Sequence, residues 1–364
     1  MKTLDLLHRW TGGLIGLLLA LLGLSGAILV HKDAWVRLPH ASDAQVTDTA
    51  AVAATVTRIM DAPGARPEGI IFASENFGLH RLSFKDDAGA YADQAGTIVV
   101  QWQSQWERPE LWLFDFHHHL FAGDGGETVI GVAGLCGLFF VVSGAILWWR
   151  TRKTFEFRLW PKRMTRSAIL RQHRDLGIVV APLLMLSLYT GVTMVFRPTT
   201  ALVLGPTAPA TIARVMKPPK PIKAKIAEQL DWATMVRTAR EKFPDAEFRV
   251  LSLPRKDNGL IALRMKQPAE WLPNGRTTLY FAADTARLVD VRDALALPPQ
   301  VRGYNLLYPL HAAKVGGFAY RLVMTVSGLA LTLLGSLTVW SFWFRRRALP
   351  VASVPSRTPA ATKP

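Results

Sequence analysis

Four long apolar runs decide what this chain can fold into. They cover residues 14–30, 129–149, 176–196 and 318–344, and only the last contains a charged residue, Arg321. Each is close to the ~20 residues that carry a helix across ~30 Å of hydrocarbon. Backbone groups in lipid find no water, so the runs are expected to be helical. Small residues inside them, among them Gly23, Ser25, Gly26, Ser143, Gly144, Gly191, Ser327 and Gly328, favour close helix–helix approach. Trp10, Trp148, Trp149, Trp340 and Trp343 sit near the run ends, where indole rings suit a membrane boundary.

Charge takes its meaning from these spans. The chain has 364 residues, with 43 Lys+Arg against 27 Asp+Glu, a net charge of +16. In a soluble chain such an excess would suggest a nucleic-acid partner. Here residues 1–9, 150–174 and 345–364 carry +1, +8 and +5, so three short segments hold +14 of the total. By the positive-inside rule they are cytoplasmic, which puts both termini inside and leaves no case for nucleic acid. The lipid bilayer is the expected partner. Lys2 and Arg9 would also suit a signal peptide, but no small-residue cleavage pattern follows Val30, so the first span is expected to be a retained anchor. A single cysteine excludes a disulfide framework, a cysteine zinc site and an iron–sulfur cluster. The chain also lacks the C-x-x-C-H motif of covalent haem.

The resulting division is an α-helical membrane protein. Transmembrane helices occupy 1–31, 128–150, 174–197 and 318–344, with a basic cytoplasmic loop at 151–173 and a cytoplasmic tail at 345–364. Two outside segments, 32–127 and 198–317, read as small α+β domains. In the second, Asp231 caps a helix that Pro244 stops. Alternating runs follow at 248–253, 260–265, 277–281 and 288–291, with turn signals at Asp257-Asn258-Gly259 and Asn274-Gly275. The first is a weaker copy, with a helix at 50–60 and runs at 69–73, 79–84 and 97–102. Residues 206–225, rich in Pro and Lys, read as a linker. Residues 32–128 hold 7 basic and 14 acidic groups while 175–319 hold 19 and 11, so the two outside domains are expected to dock on one another.

The spans repeat in pairs, as two parallel helix–domain–helix units. His8-Arg9-Trp10-Thr11-Gly12 matches His173-Arg174-Asp175-Leu176-Gly177, and Gly26 and Gly191 each follow their histidine by 18 residues. Phe116-His117 precedes the second span as Leu310-His311 precedes the fourth. The repeat puts His8 and His173 at one depth near the cytoplasmic face. It puts the His117-His118-His119 cluster and His311 at one depth near the outer face. Neutral imidazoles on facing helices can supply both axial ligands of a haem iron. Leu14, Leu17, Phe139, Leu183, Met185 and Leu329 are candidates for an apolar haem slot. His31 lies 23 residues after His8 and is a further candidate for the outer haem. Arg37 and Arg321 are candidates to pair propionates. A zinc or copper site at the triple histidine is the competing metal reading.

These residues carry a resemblance. The His8–Gly12 motif, the segment Leu24-Ser25-Gly26-Ala27-Ile28-Leu29-Val30-His31-Lys32-Asp33-Ala34-Trp35, the segment from Phe116 to Thr128 and Ser143-Gly144-Ala145-Ile146-Leu147-Trp148-Trp149 look like the PepSY-associated transmembrane-helix family. Residues 231–292 resemble a PepSY domain. The family includes inner-membrane, iron-regulated proteins and siderophore-iron reductases with two b-type haems. The resemblance implies that His8 and His173 bind the cytoplasmic-side haem and that His311 with one of His117, His118 and His119 binds the outer one. It implies a bacterial inner-membrane reductase taking electrons from a cytoplasmic reductase or quinol and passing them to a ferric siderophore. Trp106, Trp112, Trp271 and Tyr304 are candidates for the substrate surface. Two other functions stay open: a haem electron-transfer subunit for another periplasmic enzyme, and a haem-free module that binds a periplasmic partner such as a peptidase.

Overall fold

The computed structural model describes residues 2–254 and 258–344. Four helices are long and apolar enough to cross a membrane: Lys2–Leu29, Gly123–Trp149, Arg166–Val195 and Gly317–Trp343, the first to fourth spans. The first and third extend well before their apolar runs, and these polar starts carry His8 and His173. The tail at 345–364 and part of the turn at Asp257-Asn258-Gly259 lie outside the described residues.

The spans pack through the small residues. A Cβ on Gly23 would meet the Gly328 carbonyl oxygen at 2.6 Å, and one on Gly328 would meet Gly23 O at the same distance. Only glycine lets the first and fourth spans approach this closely. Close backbone contact replaces a hydrophobic drive that lipid does not supply. Thr332 Oγ1 donates to Ala20 O across the same interface at 3.1 Å.

Outside the bundle, eight strands form a single antiparallel sheet in the order β4-β3-β2-β1-β5-β6-β7-β8. They are β1 Gly69–Ile71, β2 His80–Ser83, β3 Gly89–Ala92, β4 Ile98–Trp102, β5 Glu247–Ser252, β6 Leu260–Lys266, β7 Thr277–Ala282 and β8 Leu288–Arg292. The two outside segments, expected as small α+β domains that dock on one another, are joined in this one sheet. The segments are two four-stranded meanders joined through their first strands, with Gly69 opposite Ser252, Ile70 opposite Leu251 and Ile71 opposite Val250. Each meander alone would leave the edge of its first strand unpaired, and the pairing satisfies both edges at once. Helices Thr49–Met60 and Trp232–Lys242, the latter capped by Asp231, pack on one face. Val56, Met60, Ile70 and Leu82 share one apolar core there with Trp232, Met235, Leu251, Leu263 and Phe281. Docking of the two segments therefore rests on main chain and apolar core. Polar ties are secondary, such as Trp232 Nε1 to Asp61 Oδ1 at 2.9 Å.

Two local expectations also change. Strand β3, Gly-Ala-Tyr-Ala, has little intrinsic strand preference and was not expected; it is held by ladders on both sides. Residues 206–225 are not only a linker, because Ala208–Val215 is helical and buries Ala208 and Ile212 against Val301.

His80 makes the sheet pH-sensitive. Its ring is buried, its Nδ1 accepts the Ala73 N–H at 2.9 Å, and burial lowers its pKa to about 4, only partly opposed by Asp93. The folded pKa lies below the unfolded one, so the stabilisation is complete above pH ~6.5 and is lost as pH falls toward 4. A shift of this size corresponds to about 3 kcal/mol. Thermal melts of wild type and His80→Gln should diverge in acid, with the wild type losing more stability between pH 6.5 and 4. Parallel losses in the two would refute this role for His80.

Candidate functional site

The structure brings four histidines together in two pairs. At the end of the bundle away from the sheet, the His8 and His173 ring centres are 6.2 Å apart. At the sheet end, His117 and His311 are also 6.2 Å apart. The His117 ring rests against Gly26, where an added Cβ would lie 3.1 Å from its Cε1; the His311 ring rests against Gly191 in the same way, at 3.0 Å. Eighteen residues of helix separate His8 from Gly26, so the pairs lie about 27 Å apart along the first span. That is roughly the thickness of the hydrocarbon layer.

Every one of the four rings is held through Nδ1. His8 Nδ1 is 2.8 Å from Ser143 Oγ, whose own hydroxyl donates to Phe139 O at 2.6 Å. His173 meets Thr338 Oγ1 at 3.1 Å, and that hydroxyl donates to Leu334 O. His117 meets Ser25 Oγ at 2.9 Å, and Ser25 donates to Leu22 O. His311 donates to Ser187 O at 3.0 Å and lies 3.2 Å from Thr190 Oγ1, which donates to Leu186 O. Because each hydroxyl hydrogen is directed at a carbonyl, its oxygen is left to accept. The imidazoles therefore carry their proton on Nδ1, and Nε2 keeps its lone pair. Such second hydrogen bonds fix the tautomer and orientation of metal-binding histidines.

The donor set and the cavity at the sheet-distal pair fit a haem group. Two imidazoles that face each other at this spacing, each with Nδ1 engaged and Nε2 free, could together hold one metal ion such as a haem iron. Around His8 and His173 lies a cavity of about 1120 Å³, walled by Phe140, Leu184, Leu188, Leu331 and Leu334. Arg150 and Arg166 lie among its lining residues. Trp148 lines it too, and its buried Nε1–H has no acceptor. An apolar slot with cationic groups and a spare donor suits a macrocycle bearing carboxylates. The wall is not the one expected from sequence: Leu14, Leu17 and Leu329 are 66%, 53% and 49% exposed and face away from the bundle interior.

The triple histidine divides its rings. His117 faces His311, whereas His118 stacks on Phe114 at 4.2 Å and His119 bonds Asp115 Oδ1 through Nδ1 at 2.9 Å. Among the described residues, no group of three or more His, Cys, Asp or Glu converges on one point, so a zinc or copper centre there has no ligand set. His31 stands apart from the pairs. Its Nε2 is 2.8 Å from Thr325 Oγ1, which itself donates to Arg321 O. Arg37 is exposed, and Arg321 is half-buried with no acidic partner among the described residues. Asp33 and Lys314 join the ends of the first and fourth spans at 2.7 Å. Trp106 and Trp271 are largely exposed.

Sequence reasoning missed the four hydroxyls. It read Ser25 and Ser143 as small packing residues and left Thr190 and Thr338 aside. A signal was present: Thr190 follows Ser25 by 165 positions, the same offset that relates His173 to His8 and Gly191 to Gly26.

Four helices long and apolar enough to cross a membrane, with an eight-stranded sheet beyond one end of the bundle, mark a multi-pass membrane protein. The chain matches the family described as the PepSY-associated TM region over residues 6–346, essentially its whole length, and it belongs to that family. No curated protein matched the chain.

Proposed function

We propose that this protein is an inner-membrane dihaem b oxidoreductase that passes electrons across the bilayer and reduces ferric iron in siderophores at the periplasmic face. The observation that carries this reading is the pair of imidazole pairs, each at 6.2 Å with every Nδ1 already hydrogen-bonded, set at opposite ends of one bundle. A module that only binds a partner protein needs no such arrangement. His8 and His173 would hold one haem, and His117 and His311 the other. The haems would supply one-electron redox chemistry. The chain orients the rings through Ser143, Thr338, Ser25, Thr190 and the Ser187 carbonyl, and apolar side chains wall much of the cavity at the His8–His173 pair. In this reading His118, whose ring lies 6.0 Å from that of His117, borders the outer pair, and His31, His119 and Arg321 stand apart from it, none of them ligating iron.

The orientation follows from charge. The basic segments 150–174 and 345–364 would lie in the cytoplasm with both termini, and the sheet in the periplasm. The four spans are then two parallel helix–domain–helix repeats, whose shared offset of 165 relates His8, Ser25 and Gly26 to His173, Thr190 and Gly191. Electrons would enter at His8 and His173 from a cytoplasmic reductase or quinol. Siderophores hold Fe(III) through hard oxygen donors and release Fe(II) readily, so one electron frees the metal.

A direct test is to reduce the purified protein with dithionite, remove the excess and mix it anaerobically with a ferric siderophore. Reoxidation of the protein with stoichiometric formation of Fe(II) is expected. A reduced protein that stays reduced with every ferric chelate tried would overturn the reductase reading.

A further inference from the structure

The sheet carries two arginines that the proposed electron path does not use. Arg264 lies on β6 opposite Thr278 of β7, and Arg276 immediately precedes β7. By strand alternation, residues 276, 278 and 280 share a face of the sheet. That face is opposite the one on which Leu263, Leu279 and Phe281 join the apolar core. Both arginines are only partly exposed.

Neither guanidinium has a partner among the described residues: no ion pair or hydrogen bond is formed by either, and the buried Arg276 Nε has no acceptor. Burial lowers the Arg276 guanidinium below the usual arginine value, Arg264 adds to the shift, and Tyr304, Glu270 and Tyr280 oppose it. Arg264 is lowered by burial, against Tyr280 and Glu270. Arg292 of β8, opposite Thr278, and Asp290, opposite Tyr280, lie on the same face and pair with each other, which leaves Glu270 as the carboxylate beside the two arginines. Glu270 does not neutralise them by contact. Its Oε1 accepts from Gln267 N–H at 3.0 Å and Thr277 Oγ1–H at 2.8 Å, and its Oε2 accepts from the Arg276 backbone N–H at 2.5 Å. Asn305, next to Tyr304, likewise keeps a buried Oδ1 without a donor.

A sheet does not ordinarily leave two neighbouring guanidiniums partly desolvated and unpaired, because an uncompensated charge of this kind is costly. An anion resolves the conflict. Guanidinium forks match planar oxyanions through two parallel hydrogen bonds. Two arginines with one carboxylate leave a local charge of about +1, which suits a single carboxylate group better than a phosphate dianion.

We propose that Arg264 and Arg276 bind a free carboxylate of a small anionic ligand on the face of β6 and β7 beside Tyr304. Tyr304 is followed within seven residues by His311, so the site is tied to the segment that carries one ring of the outer histidine pair. Where the reductase reading holds, and only for the identity of the metal does this rest on it, the preferred substrates are anionic ferric chelates with free carboxylates. Cationic tris-hydroxamate complexes would be repelled.

Gallium(III) citrate provides the test, because gallium is not reduced under these conditions and binding is read without electron transfer. Calorimetric titration of the detergent-purified full chain with gallium(III) citrate and with citrate alone should give saturable binding. Arg264→Gln and Arg276→Gln should each weaken it roughly 10- to 100-fold, the loss expected for a charge-assisted hydrogen bond. Haem content and melting should remain those of wild type. A cationic gallium(III) tris-hydroxamate complex should not compete. Equal citrate affinity in the wild type and the double variant would overturn the site. Tighter binding of inorganic phosphate, or of vesicles rich in anionic phospholipid, would overturn the carboxylate assignment. Loss of haem in the double variant would make the guanidiniums partners of the cofactor and overturn it as well. A colourless protein that still binds citrate through both arginines would sink the reductase reading and keep this one.

Discussion

Purified His173→Ala should carry about one haem equivalent fewer than wild type, and His311→Ala should do the same at the opposite end. Each substitution removes one ring of a 6.2 Å pair and leaves its partner facing a gap. The remaining ring keeps its Nδ1 contact, Ser143 Oγ for His8 and Ser25 Oγ for His117, so the bundle should still assemble. Haem extraction and a pyridine haemochrome assay give the stoichiometry. Retention of both haems in either variant would refute the ligand assignment. His31→Ala should retain both, because the His31 Nε2 is engaged with Thr325 and the ring lies outside the pairs. This control separates a ligand from a histidine at the same depth.

Asp175→Ala should be the most destabilising single change near the sheet-distal pair. Asp175 is fully buried and contacts both Arg158 and Arg174, the latter through Nε at 2.7 Å. Arg174 also donates to Thr154 Oγ1 and Thr154 O at 2.8 Å. The carboxylate therefore pins the segment between the second and third spans onto the helix turn that carries His173. Removing one partner of a buried ion pair strands the others, at a cost of about 3–5 kcal/mol. Melting of the detergent-solubilised variant should fall by many degrees, and Asp175→Asn should lose less because its amide oxygen still accepts. An alanine variant that melts with wild type would show that Arg158 and Arg174 find water instead.

The sequence made the spans legible because length and apolarity alone decide whether a helix can cross a bilayer. The histidine pairing was legible through the repeat: His8 and His173 share a motif, and His117 and His311 precede corresponding spans. The choice among His117, His118 and His119 was not, since it depends on which ring the helix Pro109–His119 turns toward Gly26. Fusion of the outer segments into one sheet was also hidden. Edge pairing between Ile70 and Leu251 is a main-chain interaction that leaves no mark in side-chain alternation. The apolar slot was misread because exposed and cavity-facing leucines alternate along a uniformly apolar helix, and a membrane span has no polar face to give the phase. Leu331 and Leu334 turn inward while Leu329, two residues before Leu331, is exposed.

Haem held between the facing histidines would show in the absorbance spectrum of the detergent-purified full chain. The protein should be coloured, and reduction with dithionite should produce split α and β bands with the α band at about 560 nm, from two haems of b type. A folded but colourless protein, purified from cells with ample haem, would mean that neither histidine pair holds a haem.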